Sequence, residues 1–321
     1  MTAIFDVICI GAALIDIIAQ VERHPIEDDE VFVSNLKLLS GGAAANTAYA
    51  CAKLGLLTAF LGKLGLNDAF GAKIIKDFEK VKVATTLIKY SNNYSTGTAY
   101  IALNKEGDRR IYAHSGAANY LSKNDINERD IELTKVIFLS SLKNLEPFIK
   151  AATIGKTHRI PVILNPGMLI IDQGLKNISK LLKKINILIL SLREYKTLLN
   201  LQGNEIDNEA IKEKVELFWK FGIKAIVVTM GEKGAILLNQ EISDLIPSIK
   251  VGQTIDTTGA GDAFSAGFIY GFVQNLSFEF KDLKKDVKIG NWVAGKCIQE
   301  LGARNGIPIK EDLNNFLINI K

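Results

Sequence analysis

The stretch DTTGAGDAFSAGF, Asp256 to Phe268, decides how the rest of the chain is read. Gly259, Ala260 and Gly261 come just before Asp262, and a run of small and apolar residues without proline follows. Such a turn can gather backbone N–H groups at a helix N-terminus, where the helix dipole adds positive potential. The place suits an oxyanion or a transferring phosphoryl group. Ala263, Gly267 and Gly271 recur every four residues, so one helix face can press close against a neighbour. A carboxylate beside phosphate oxygens is repulsive unless it handles a proton. Read from the residues alone, Asp262 is either a base in such a site or a helix cap.

Outward from that stretch, the chain alternates short apolar runs with helical patterns. FDVICIG (Phe5 to Gly11), TAFLG (Thr58 to Gly62), KVIFLS (Lys135 to Ser140), PVILN (Pro161 to Asn165), ILILS (Ile187 to Ser191) and AIVVTMG (Ala225 to Gly231) read as strands buried on both faces. NTAYACAKL (Asn46 to Leu54), LEPFIKAATIGK (Leu145 to Lys156) and NEAIKEKVELFWKFG (Asn208 to Gly222) read as helices between them. This rhythm predicts an α/β fold with a mostly parallel sheet covered on both faces. Two segments, about 13–39 and 95–116, instead read as four strands with no intervening helix, and NKEG (Asn104 to Gly107) fits a hairpin turn. They predict a small β-sheet inserted in two pieces into a single 1–321 domain, read as a lid over a site, with an ordinary exposed β-flap as the alternative.

Bulk properties narrow the function classes. The chain has 321 residues, 48% of them hydrophobic, and 39 Lys plus Arg against 35 Asp plus Glu give a net charge of +4. That mild, dispersed excess argues against nucleic-acid and membrane surfaces, and KDLKKDVK (Lys281 to Lys288) reads as a solvated helix face. Cys9, Cys51 and Cys297 lie far apart, and His24, His114 and His158 have no metal-ligand spacing. With no signal-peptide pattern and no apolar run of membrane-spanning length, a cytoplasmic location is expected.

Ligands of open α/β sheets sit at the carboxyl ends of strands, so strand-to-helix turns carry the chemistry. In LSGGAAANTAYACAKLG (Leu39 to Gly55), Gly41 and Gly42 permit close approach to a ligand. Asn46 offers a donor and an acceptor to a hydroxylated one. Neither a GxxxxGK[ST] loop nor a GxGxxG fingerprint occurs.

GGAAANTA with Gly55 and Gly65, GLNDAFG (Gly65 to Gly71) and DTTGAGDAFSAGFI together resemble the signatures of the ribokinase-like (PfkB) family of carbohydrate and nucleoside kinases. The resemblance runs from about residue 5 to residue 318 and implies a ribokinase-like fold, ATP as donor and Mg2+. It implies that Asp262 is the general base and that Gly259, Ala260 and Gly261 form the anion hole. Asp16 in GAALID would bind substrate hydroxyls beside Gly41, Gly42 and Asn46. Thr229, Gly231 and Gly234 in VVTMGEKGA resemble the nucleotide loop, and Asn291 the residue flanking adenine. Asp256 and the backbone around Gly302 resemble the monovalent-cation site, K+ in many members.

Two departures stand out. SLRE has Ser191 where the family often has asparagine, with Glu194 kept to hold magnesium through water. Ala43 replaces the lysine usual in ribokinases, and GGAAANTA with HSGAAN (His114 to Asn119) is nearer to some archaeal nucleoside kinases. The resemblance thus implies a kinase acting on a sugar hydroxymethyl group or, alternatively, on a ribose 5′-hydroxyl. A non-catalytic sensor on this fold is disfavoured because Asp262 and its glycines are intact. Arg109 and Arg110 read either as lid residues reaching an anionic substrate or as solvated hairpin arginines. The unpaired lid edge predicts a homodimer.

Overall fold

The computed structural model describes residues 3–201 and 215–319. Its main sheet has eight strands in the order β14-β13-β12-β11-β10-β9-β1-β4. They are β1 (Phe5–Gly11), β4 (Thr58–Leu61), β9 (Thr134–Ser140), β10 (Val162–Asn165), β11 (Ile187–Ser191), β12 (Ala225–Thr229), β13 (Ala235–Leu238) and β14 (Ser243–Ile246). Pairing is parallel from β4 to β12, and β13 and β14 close one edge as antiparallel strands. Those last two strands, a short pair formed by β5 (Lys63–Gly65) and β6 (Lys89–Ser91), and their pairing were not foreseen.

Why the strands read as unbroken apolar runs is plain from their alternation. Val7, Cys9, Val136 and Phe138 point into the core on one face, while Ile8, Ile10, Ile137 and Leu139 point into the core on the other. Both faces are covered by helices, so neither set of side chains has to be polar. The first core contains the helices Ala43–Lys53, Ala260–Phe272 and Phe280–Cys297. Of the helix expected from Asn208 to Gly222, residues 208–214 lie outside the described residues, and the rest contains the helix Glu216–Trp219.

β1 lies between β4 and β9, so the chain leaves it toward one side of the sheet and returns on the other. A crevice opens at the carboxyl end of such a strand. There the chain builds the second sheet, in the order β3-β2-β7-β8, from β2 (Leu14–Val21), β3 (Val33–Gly41), β7 (Thr96–Leu103) and β8 (Arg109–Gly116). All four predicted lid strands are present. Gly107, with φ +90°, makes the hairpin turn, and Asn104 accepts from its amide. The Asp16 row of this sheet (Leu39, Asp16, Ala99, Ala113) and the adjoining row (Leu38, Ile17, Tyr100, Tyr112) face opposite ways.

Candidate active site

Asp16 stands on β2 opposite Leu39 of β3, two residues before the glycine pair. A methyl group on Gly41 would collide with the Asp16 carboxylate, so glycine there lets the strand end pass the acid. Burial pushes Asp16 up to about 6, and the charge of Arg304 opposes that rise. Gly42, at φ +93°, turns the chain into the helix Ala43–Lys53, where a side chain would strike the backbone of Ala12. One turn into that helix sits Asn46, buried at 6% exposure.

Asn46 and Asp262, 216 residues apart, meet directly. The Asn46 Nδ2 donates to Asp262 Oδ2 at 2.9 Å, and its Oδ1 accepts from Arg304 Nε at 2.9 Å. Thr47 Oγ1 reaches the Asp262 carbonyl at 3.4 Å. Burial is the largest influence on Asp262 and raises it to about 7. Asn46 and Arg304 lower it, and the charges of Asp16 and Glu194 raise it. Near pH 7 such a carboxyl can take up and release a proton, which a solvated helix cap with an ordinary pKa does not do.

The turn before Asp262 differs from the expectation in one respect. Only Gly259 is left-handed, at φ +77°, and a side chain on it would collide with Ala303. Gly261 is already helical, and a methyl on it would meet nothing within 4 Å. Its glycine therefore keeps space open and relieves no strain. Ala260 does not offer its amide to the crevice, since that amide donates to Thr257 O at 3.2 Å. Among the described residues no carbonyl accepts from the amides of Gly261 or Asp262, which leaves both donors open at the helix start. Behind them the helix lies flush on Phe280–Cys297: a methyl on Gly267 would come within 2.8 Å of Ile289 O.

The carboxyl edge of the sheet carries the residues expected on the nucleotide side. Ser191 and Thr229 are register partners at the ends of β11 and β12. Ser191 caps the helix Leu192–Leu198 in a capping box with Glu194, whose Oε2 accepts from the Ser191 amide at 2.7 Å. Burial raises Glu194, and its charge is felt by Asp262. Gly231, at φ +59°, borders open space, whereas Gly234 is needed where its backbone meets Ile246 and Ser248. The Asn291 Nδ2 donates to Ile246 O at 3.1 Å and Pro247 O at 2.9 Å. Those bonds fasten the end of β14, so its donor is spent on the fold.

Asp256 also has its oxygens engaged. Oδ1 accepts from the amide and hydroxyl of Thr258, and Oδ2 from the Gly302 amide at 2.8 Å. Arg109 lies 3.7 Å away, and among the described residues no cluster of three or more acidic, His or Cys side chains could hold a metal ion. Arg110 donates to Pro25 O within the lid. All three cysteines are buried and free. Arg304 carried no role in the sequence reading, although an arginine among the small residues of LGARNGIP was visible there.

This geometry is that of a phosphoryl-transfer site, and comparison with known proteins agrees. The profile described as pfkB family carbohydrate kinase matches residues 5–310. The chain belongs to the pfkB carbohydrate kinase family. Within the family it is 30% identical to a ribokinase of Staphylococcus aureus over 312 residues, covering 96% of this chain and 98% of the relative. A deoxyribokinase of Salmonella typhi is 29% identical, with 97% of this chain and 98% of the relative covered. The structure of Arabidopsis thaliana ribokinase complexed with ribose and ATP superposes with a TM-score of 0.86 at 28% identity, over 99% of each chain. Among the described residues no helix is long and apolar enough to cross a membrane.

Proposed function

We propose that this kinase transfers the γ-phosphoryl group of ATP to the exocyclic hydroxymethyl oxygen of a five-carbon sugar of the ribose or deoxyribose class. The observation that carries the reading is Asp262, half-buried at the helix start and raised by desolvation to about 7, beside two free helix-start amides. The named relatives, a ribokinase and a deoxyribokinase, support the pentose.

Asp16 and Asn46 would hold ring hydroxyls, with the reacting oxygen turned toward Asp262. An alcohol is far too weak an acid to be deprotonated beforehand, so Asp262 orients it and accepts the proton as the new bond forms. The amides of Gly261 and Asp262 stabilise charge on the transferring group, and the lid excludes water that would otherwise intercept it. Magnesium fits Glu194, whose Oε2 is held by the capping box and whose Oε1 is left to bind water; the ion would neutralise phosphate charge. Asp256 enters as an anchor for the 256–261 loop, through its bonds to Thr258 and Gly302.

A second copy would cover the outer face of the lid, where Leu38 and Tyr112 are exposed along with Phe32 on the preceding turn. A clean monomer in light scattering at working concentration removes that assembly. For the activity, the protein is incubated with ATP, magnesium and a panel of pentoses, hexoses and nucleosides, and products are assigned by phosphorus NMR. Ribose or deoxyribose 5-phosphate is the expected product. A kcat/KM for nucleosides far above that for pentoses would overturn the substrate class.

A further inference from the structure

We propose that Arg304 is a positioning residue for the base: it fixes which way the Asn46 amide points and thereby keeps Asp262 in its proton-accepting form. The inference rests on Asp262 being the base of the kinase reading, and it concerns a residue to which neither the resemblance nor the relatives assign a part.

Three observations carry it. A guanidinium only donates, so its bond from Nε obliges Asn46 to present Oδ1 to Arg304 and Nδ2 to Asp262. Without that constraint the amide can flip and offer its oxygen, which a protonated carboxyl would bind and a carboxylate would not. Second, Arg304 is itself buried at 8% exposure, held between the rings of Tyr49 at 5.0 Å and Phe78 at 5.6 Å. Third, its Nη1 and Nη2 have no hydrogen-bond partner among the described residues. A merely structural buried arginine would be closed by a salt bridge, and this one is not.

The nearby charges identify what the guanidinium acts on. Asp77, from the helix Ala69–Lys80, is closely served by Ser40, Lys73 and Lys80. Tyr49 and, farther along, the Cys297 thiol are uncharged, the latter pushed up to about 12. That leaves Asp16 on β2 and Asp262, with Glu194 adding a third negative charge to the site. Arg304, lowered to about 10 by burial, stays charged at neutral pH and is the buried cation among them.

The test is the pH dependence of kcat/KM in Arg304→Gln and Arg304→Lys, each shown to be folded and to bind ATP. A base must be ionised, so its rate falls as pH drops through its pKa. In Arg304→Gln that acid limb should move up by about one pH unit, since loss of an adjacent opposite charge shifts a carboxyl by that order. Arg304→Lys keeps the charge and should return most of the shift. A uniform loss of rate with an unmoved limb would mean Arg304 only supports the fold. If Arg304→Gln does not fold, the Nε–H resonance of Arg304 in the native, nitrogen-labelled protein replaces it. That resonance should titrate at the wild-type acid midpoint, and a flat response overturns the relay. Failure of the kinase reading is distinguishable, because Asp262→Asn would then retain its turnover.

Discussion

Arg109, the first residue of the outer lid strand, brings its Nη2 to 3.7 Å from the carboxylate of Asp256, across the crevice from the lid. Asp256 opens the loop that leads to the anion hole, and its bonds to Thr258 and Gly302 tie that loop to the chain beyond residue 300. The pair joins the lid to the phosphate side of the site. Half-exposed ion pairs contribute little to stability, so its effect belongs to lid closure. Arg109→Ala should raise the KM for the sugar about two- to fivefold, the range an exposed pair supports. The salt dependence of KM should weaken with it. Steady-state kinetics from low to high ionic strength check this, and an unchanged KM would contradict it.

Asp16→Ala should weaken sugar binding and leave ATP affinity nearly unchanged. A carboxylate accepting hydroxyl hydrogen bonds contributes roughly 1.5–3 kcal/mol per bond. Calorimetric titration of each ligand separates the outcomes. Equal losses for sugar and ATP would place Asp16 in the fold rather than in the acceptor site.

Gly259 and Gly261 should fail differently. Gly259→Ala forces an L-residue into φ +77° against Ala303, so the melting temperature should fall. Gly261→Ala meets no neighbour within 4 Å and should fold normally, yet lose turnover because its methyl enters the phosphoryl space. Thermal melts alongside kcat decide it. A stable, fully active Gly261→Ala would show that the open space is not where phosphate sits.

The sequence carried the strand runs and the lid because their causes are local: two-sided burial makes apolar runs, and a hairpin needs its glycine. The sequence also brought Asp16, Asn46 and Asp262 into one list, through motif spacing. It did not show that Asn46 touches Asp262, since that contact joins residues 216 positions apart and depends on how two helices pack. Arg304 escaped for the same reason. Its importance comes from being buried with its Nε on Asn46 and its Nη atoms unpartnered among the described residues, a property of the packed molecule. Motif spacing located Asn291 and Ala260 but not where their bonds go: the Asn291 Nδ2 serves the end of β14 and the Ala260 amide serves Thr257. The antiparallel edge strands β13 and β14 were missed because they lack a run of distinctive length.

Asp286 lies between the helices Ala260–Phe272 and Phe280–Cys297, with its Oδ2 unpartnered, and burial raises it to about 8. An unfolded aspartate titrates near ~3.9, so the fold favours the protonated form. That contribution is fully present below about pH 4 and is lost as pH rises through about 8. Asparagine has no proton to lose. Asp286→Asn should therefore gain stability over wild type increasingly between those limits, with no change in kcat. Urea unfolding at pH 5 and pH 8.5 tests the sign, and a gain that shrinks with pH would contradict it.

The central claim, that Asp262 is aimed at a phosphate cradle in order to accept a proton, is tested most directly by the turnover of Asp262→Asn. The amide is nearly isosteric and can still hydrogen-bond the hydroxyl, but it cannot take the proton. In a variant shown to be folded, ATP and sugar should both bind by calorimetry while kcat falls by about 10²–10⁴-fold, the usual contribution of a general base. Wild-type activity should fall as pH drops through about 7, where Asp262 becomes protonated. Near-normal turnover in Asp262→Asn would make the aspartate a helix cap and contradict the account.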